Sequence, residues 1–222
     1  MAGRLSLLGA GRQKPIPWWL AGGIPSSACV VAYQAKGAAS LAASYVNLAN
    51  PGTYNLLVLS APSWNATDGW IFDGTTGLNT GINASGKIDW SFSLRYSNAS
   101  QVASGDGLIF GAKDAYAWFG YAASYAGTLY RRYYYGWGAS IIENWKVSGI
   151  AGLAGSQRYF DGVNLQITGN NGDARAGGEI YVGKASGSDS KPAASYIQAL
   201  SIYNIKLSDS QMSALNTAMS AL

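Results

Sequence analysis

The chain of 222 residues contains no histidine, and its only cysteine is Cys29. Without imidazole it lacks the commonest general base, the commonest metal ligand and the usual partner of a nucleophilic serine or cysteine. His-dependent triads and zinc hydrolases are therefore excluded. A single thiol excludes an intrachain disulfide and any zinc cluster built on thiolates, and a lone cysteine in a β-protein reads as a small buried hydrophobe. Glutamate is almost as scarce. Only Glu143 and Glu179 occur, and neither has a second acid two or four residues away. Charge of any sign is thin, at 12% against the usual ~25%. Long apolar runs are missing too: a membrane span needs about 20 such residues, so no membrane insertion is expected. No acid precedes Asp68, whereas Arg4, Arg12, Lys14 and Lys36 all do. The net charge of +4 thus belongs to the beginning of the chain, and the remainder is balanced.

What is abundant is glycine, at 29 residues, and aromatic side chains, at 13%. With 48% hydrophobic residues the chain can fill a core and is not disordered. Leu5–Ala10 is too short for the core of a signal peptide, and Arg12-Gln13-Lys14-Pro15 interrupts it, so an uncleaved protein made in a cytoplasm is expected. Residues 1–24 read as an extended arm: Gly3, Gly9, Gly11, Pro15, Pro17, Gly22 and Gly23 oppose regular structure. Ile16, Trp18, Trp19 and Leu20 are nevertheless too apolar to stand in water. They dock either on the body or, with Arg12 and Lys14, on a larger assembly. Residues 25–222 then form one domain, in which turn clusters separate short strands roughly every ten residues, the rhythm of a β-sandwich. Residues 38–48 have a helical spacing of apolar positions.

The last third is the most orderly. Gly155 to Val163 reads as a hairpin turning on Asp161-Gly162. Glu179–Lys184 reads as a short strand stopped by Gly183, and Ile197–Asn204 as an alternating strand. Ser208 with Gln211 makes a capping box. Met212, Leu215, Met219 and Leu222 form one stripe of a helix that docks on the sandwich. The order of these segments, together with Trp70–Gly74 and Ile88–Leu94, resembles laminin-G-like, concanavalin A-like jelly rolls over residues 27–222. The resemblance implies an all-β sandwich of two antiparallel sheets and, more often than not, binding rather than catalysis. The glucanases of that superfold carry a Glu-x-Asp-x-Glu strand that this chain lacks. Its lectins hold metals through histidine and clustered acids, also missing here. No enzyme activity, cofactor or metal is therefore expected. Pro17–Ile24 and Ala32–Ser40 are similar to uncharacterised structural proteins of tailed phages.

Ten rings lie between Tyr116 and Trp137. Strand alternation would group Arg131, Tyr133, Tyr135 and Trp137 on one face. With Trp118 and Tyr121 these form the candidate ligand surface, since flat rings beside a guanidinium suit the C–H faces and hydroxyl edges of sugars. The competing reading is cross-strand pairing of the rings. Nucleic acid fits poorly, because single-strand binders need a positive groove and the body is net neutral. Asn65, Asn83 and Asn98 head formal glycosylation sequons that read as chance. Two roles are thus expected. The first is a virion surface protein whose arm engages capsid or tail proteins, or which associates with itself as a homo-oligomer. The alternative is a carbohydrate-binding module.

Overall fold

In the computed structural model, residues 15–101, 106–113, 118–125, 130–136, 138–143, 146–168, 178–184 and 191–222 are described. Along the chain come β1 (Cys29–Gln34), α1 (Leu41–Ser44), β2 (Leu57–Ser60), β3 (Ser63–Asn65), β4 (Gly69–Phe72), β5 (Gly77–Asn83), β6 (Ser91–Ser97), β7 (Asp106–Lys113) and β8 (Trp118–Tyr125). Then follow β9 (Tyr130–Gly136), β10 (Gly138–Glu143), β11 (Gly149–Ala154), β12 (Gln157–Phe160), β13 (Val163–Thr168), β14 (Glu179–Val182), β15 (Lys191–Pro192), β16 (Ser195–Tyr203) and α2 (Asp209–Ser220).

The strands make two sheets. One runs β13-β12-β11-β6-β16-β4-β3, with β1 also paired to β16; the other runs β10-β9-β8-β7-β14-β5-β2, with β15 on β7. Every described pairing is antiparallel except β15 with β7. The all-β sandwich with a C-terminal helix is thus what the turn rhythm implied. The helix expected over 38–48 shrinks to the single turn α1. Its start is capped by the Ser40 hydroxyl, which accepts the Ala43 N–H at 3.1 Å.

Alternation decides what fills the space between the sheets. In β6, Phe92, Leu94 and Tyr96 turn inward, while Ser93, Arg95 and Ser97 take the outer face. Phe92 meets Phe110 with ring centroids 4.8 Å apart and Phe119 edge-on at 5.4 Å. Such pairs add about 0.5–1.5 kcal/mol each beyond the area they bury. Two hydrogen bonds serve buried polar groups within this core. The Trp70 indole donates to Ser44 Oγ at 2.7 Å, and the hydroxyls of Tyr96 and Tyr121 meet at 2.8 Å. An unpaired donor there would cost about 1–3 kcal/mol.

A second core lies on the outer face of the first sheet, under α2. Met212, Leu215 and Met219 bury the predicted stripe against Ile150, Ala154, Tyr159, Ala199 and Tyr203. Burying such a side chain contributes about 1.5–3 kcal/mol. Both hydrogen bonds of the Ser208–Gln211 capping box form. The Tyr159 hydroxyl donates to Asp209 Oδ1 at 2.5 Å and fastens the helix start to β12. Among the described residues no helix is long and apolar enough to cross a membrane.

At Trp18–Gly23 the amino-terminal segment departs from the extended arm expected over residues 1–24, of which residues 1–14 lie outside the described residues. From Trp18 to Gly23 the chain winds into short 3₁₀ turns, and Trp18 and Ile24 are buried in this second core, with Trp19 and Leu20 half-buried beside them. The Trp18 indole donates to Gln34 Oε1 at 3.0 Å, and Trp19 O accepts the Tyr203 hydroxyl at 2.9 Å. Two adjacent tryptophans find enough apolar surface on their own domain, which is the first of the two dockings that the apolar composition of the segment left open. Arg12 and Lys14 lie outside the described residues.

Gly22 shows how tight this docking is. Its φ is +72°, and a Cβ there would stand 2.9 Å from Ala214 Cβ and 3.1 Å from Gln211 Cα. Gly22→Ala is expected to cost about 1–3 kcal/mol, because it adds both backbone strain and a collision with α2. Chemical denaturation of the purified variant measures this. Removing residues 1–24 is likewise expected to lower the melting temperature by several degrees rather than leave the body intact.

Candidate functional site

The aromatic stretch expected to bind ligand lies in β8 and β9. Phe119, Tyr121 and Ala123 of β8 face the core, and so does Tyr133 of β9. Tyr121 and Tyr133 are fully buried, with ring centroids 4.9 Å apart. The Tyr133 hydroxyl donates to Tyr159 O at 2.5 Å, which ties the second sheet to the first. The face assigned to ligand is therefore, at Tyr133, the core face. Periodicity told the two faces apart, but it could not say which one is inside. For Trp118, Arg131 and Tyr135 the structure gives strand pairing only: Trp118 opposite Gly136, Arg131 opposite Ile142, and Tyr135 opposite Phe119 and Gly138. Trp137 lies outside the described residues.

An open pocket of about 300 Å³ occurs instead on the outer face of the first sheet, just beyond the C-terminal end of α2. Three side chains give it its chemistry, each placed by a local feature. Arg95 is the outward residue of β6 between Ser93 and Ser97, and its Nη1 donates to Met219 O at 2.5 Å. A cation is favoured at that helix end, where the carbonyls carry partial negative charge. Burial lowers the Arg95 pKa, but a guanidinium remains charged at neutral pH. Gln198 is the extra residue of a bulge in β16: Ile197 pairs with Tyr96 and Ala199 with Arg95. Its carbonyl accepts from both Ala35 and Lys36, at 2.9 and 3.0 Å, which secures the bulge and leaves the amide at the pocket.

Asp161 is the third. It opens the two-residue turn between β12 and β13, with φ +48° followed by Gly162 at +78°. Positive φ at both positions is the geometry that favours Asp-Gly in hairpins. Its Oδ1 accepts the Ile150 N–H at 2.9 Å, and its own N–H donates to Ile150 O at 2.9 Å. Asp161 is thus a turn residue, as expected, and in addition presents a carboxylate beside β11. Ser97, Ser148 and Ser220 supply neutral hydroxyls to the same pocket. Among the described residues Arg95 and Asp161 form no ion pair, although they line one cavity. A charged donor, a charged acceptor and a two-way amide thus surround an open volume.

Sequence reasoning missed this site. Arg95 carried a signal, as the lone cation on an otherwise neutral strand. Gln198 carried none, because a bulge is set by pairing and not by composition. No cluster of three or more potential metal ligands occurs among the described residues.

No family model and no curated protein sequence matches the chain. Solved structures do. A mutant of Trypanosoma rangeli sialidase displaying trans-sialidase activity superposes with a TM-score of 0.62 at 14% identity, over 88% of this chain and 34% of that one. Domain 4 of AbnA, a GH43 extracellular arabinanase from Geobacillus stearothermophilus, in complex with arabinotriose, superposes with a TM-score of 0.59 at 18% identity, over 85% of this chain and 98% of that one. A receptor binding domain gives a TM-score of 0.55 at 10% identity, over 87% of this chain and 51% of that one. At these identities the likeness shows a shared β-sandwich fold, and the chain spans about a third of the sialidase chains it matches.

These neighbours also correct the expectation that the chain is no enzyme. Sialidases and an arabinanase are enzymes, so the fold belongs to catalytic proteins as well as to binders. The missing histidine and missing Glu-x-Asp-x-Glu strand exclude particular mechanisms, not catalysis as such.

The core position of Tyr133 has a measurable consequence. Tyr133→Ala is expected to destabilise by about 3–5 kcal/mol through a large cavity, and Tyr133→Phe by about 1 kcal/mol through the lost hydrogen bond. Denaturant titration of both variants distinguishes this from a surface role, in which neither substitution would shift the midpoint.

Proposed function

We propose that the chain is a carbohydrate-binding β-sandwich domain whose glycan sits in the pocket formed by Arg95, Asp161 and Gln198. The observation that carries this reading is a pair of opposite charges, not joined to each other in an ion pair, that face one open volume. A sugar hydroxyl both donates and accepts, so one hydroxyl can take a hydrogen bond from Arg95 or Gln198 while a neighbour gives one to Asp161. A ligand of fixed charge would satisfy one partner and be opposed by the other. At about 300 Å³ the volume lies at the small end of ligand sites and suits one or two sugar rings. The AbnA domain supports the reading from outside, since a domain of nearly the same extent is in complex with arabinotriose.

Asp161→Asn is the informative variant. Asparagine tolerates positive φ and keeps an oxygen for the Ile150 N–H, so the turn persists while the carboxylate is lost. A hydrogen bond to a charged group contributes about 1.5–3 kcal/mol, so its removal should weaken binding at least tenfold. Calorimetric titration against arabino-oligosaccharides and a wider glycan array measures this. An unchanged affinity in Asp161→Asn would remove the pocket from the reading, and no binding to any glycan would remove the reading itself.

A second reading concerns where the domain is displayed. The exposed Ile16, 76% accessible immediately before the docked Trp18, supports attachment to a capsid or tail at a virion surface, in line with the sequence resemblance at residues 17–24 and 32–40. Ile16→Asp should then lower incorporation into particles without changing the melting temperature. Co-sedimentation of the protein with purified virions tests it.

A further inference from the structure

The strand β2 is the end of the second sheet, paired to β5 on one side. Among the described residues nothing pairs with its other edge. Its residues are exposed on both faces: Leu57 is 60% accessible, Val58 49% and Leu59 48%. An outer strand ordinarily covers core with one face, whereas here both faces project past the sandwich. Consecutive exposed apolar residues on an open edge are a standing template for another strand.

Edges of this kind are usually guarded by an inward charge, a lysine or a proline within the strand. None of these is present. From Tyr54 to Ser63 there is no charged residue, and Pro62 lies beyond the strand end. That neutrality also bears on the identity of the partner. In a two-fold antiparallel pair each residue meets its own kind or its mirror position, so any charge would be set against the same charge. The segment Leu57-Val58-Leu59 reads the same in both directions and carries no charge to repel itself. A charged partner strand would find nothing on β2 to complement it.

From these observations we infer that two copies of this chain pair antiparallel through β2, about a two-fold axis at Val58, so that the second sheet continues from one copy into the other. Val58 stands opposite Val58 of the second copy, and Leu57 opposite Leu59. The contact is short, because β2 loses register with β5 between Val58 and Ser60 and Pro62 follows. The dimer is therefore concentration-dependent rather than obligate.

Sedimentation equilibrium on the full chain tests this without any glycan, so its outcome is independent of the pocket. Wild-type protein should shift from monomer to dimer, with no larger species, as concentration rises through the micromolar range. Val58→Lys, at an exposed position, should remain monomeric with an unchanged circular dichroism spectrum. The register has its own readout. Directly opposed residues have Cβ atoms about 4.5–5.5 Å apart, near disulfide reach. Val58→Cys should cross-link under mild oxidation, and Leu57→Cys should do so far more slowly. Cys29 does not interfere, since it is buried and its thiol is pushed up to about 12. A wild-type monomer at all concentrations, a dimer that survives Val58→Lys, open-ended oligomers, or equal cross-linking at positions 57 and 58 would each overturn the proposal.

Discussion

The outer face of the first sheet is only partly roofed by α2, and both the stability of the chain's ends and the candidate site follow from that. A sheet with two apolar faces needs a cover on each side. The inner face has the second sheet, and the outer face has α2 together with the Trp18–Ile24 segment. The roof is held at both ends. Tyr159 binds Asp209 at the helix start, and Arg95 binds Met219 O at its end. Where the helix stops, the sheet surface changes from Ala199, Ser201 and Ser93 beneath it to Arg95, Ser97 and Gln198 beside it. The pocket is thus the uncovered remainder of a face that is otherwise core. Arg95 serves both regions, closing the helix and furnishing the cavity, so neither role of the residue is separable by truncation alone.

The gross architecture was legible because it rests on local rules. The 208–222 helix announced itself through Ser208, Gln211 and a stripe at helical spacing, and the 157–168 hairpin through Asp161-Gly162. Both depend on hydrogen bonds and torsions within a few residues. Less legible was anything decided by distant contact. Trp18 and Trp19 could have met a partner or their own domain. The choice was made by apolar surface on β1, β16 and α2, which lies from about ten to about two hundred residues away along the chain. The orientation of β9 is the same problem in a strand. Alternation sorts Tyr133 from its neighbours, yet which side is buried depends on Tyr121, Tyr159 and the sheet opposite.

The candidate site was invisible for a related reason. Its three principal residues come from β6, from the turn after β12 and from a bulge in β16, and nothing in the sequence joins positions 95, 161 and 198. The ring-rich stretch drew attention because it is contiguous, whereas sites assembled across strands are not. Asp161 was recognised in its local role, as a turn former, and its second role appeared only once β11 was found alongside. The same holds for the absence of histidine and of paired acids. Those absences speak to the mechanisms that need them and to no others, which is why structural likeness to sialidase and arabinanase chains reopens a question that composition had closed.

The pocket and the free edge bear on one another through affinity. An open, polar site gains little from the hydrophobic effect, and each hydrogen bond it makes to a ligand replaces one that the groups would make to water. One such site would therefore hold a glycan weakly. Two sites on a single particle act in concert when the ligand repeats, since after the first engagement the second becomes intramolecular and faces an effective concentration set by geometry. Joining copies through β2 leaves the first sheet of each untouched, because β2 belongs to the second sheet and the pocket to the first. Pairing therefore doubles the sites without masking either. In the proposed pairing, the hold of a modest pocket on a repeating surface would come from an uncharged, unguarded strand on the far side of the sandwich.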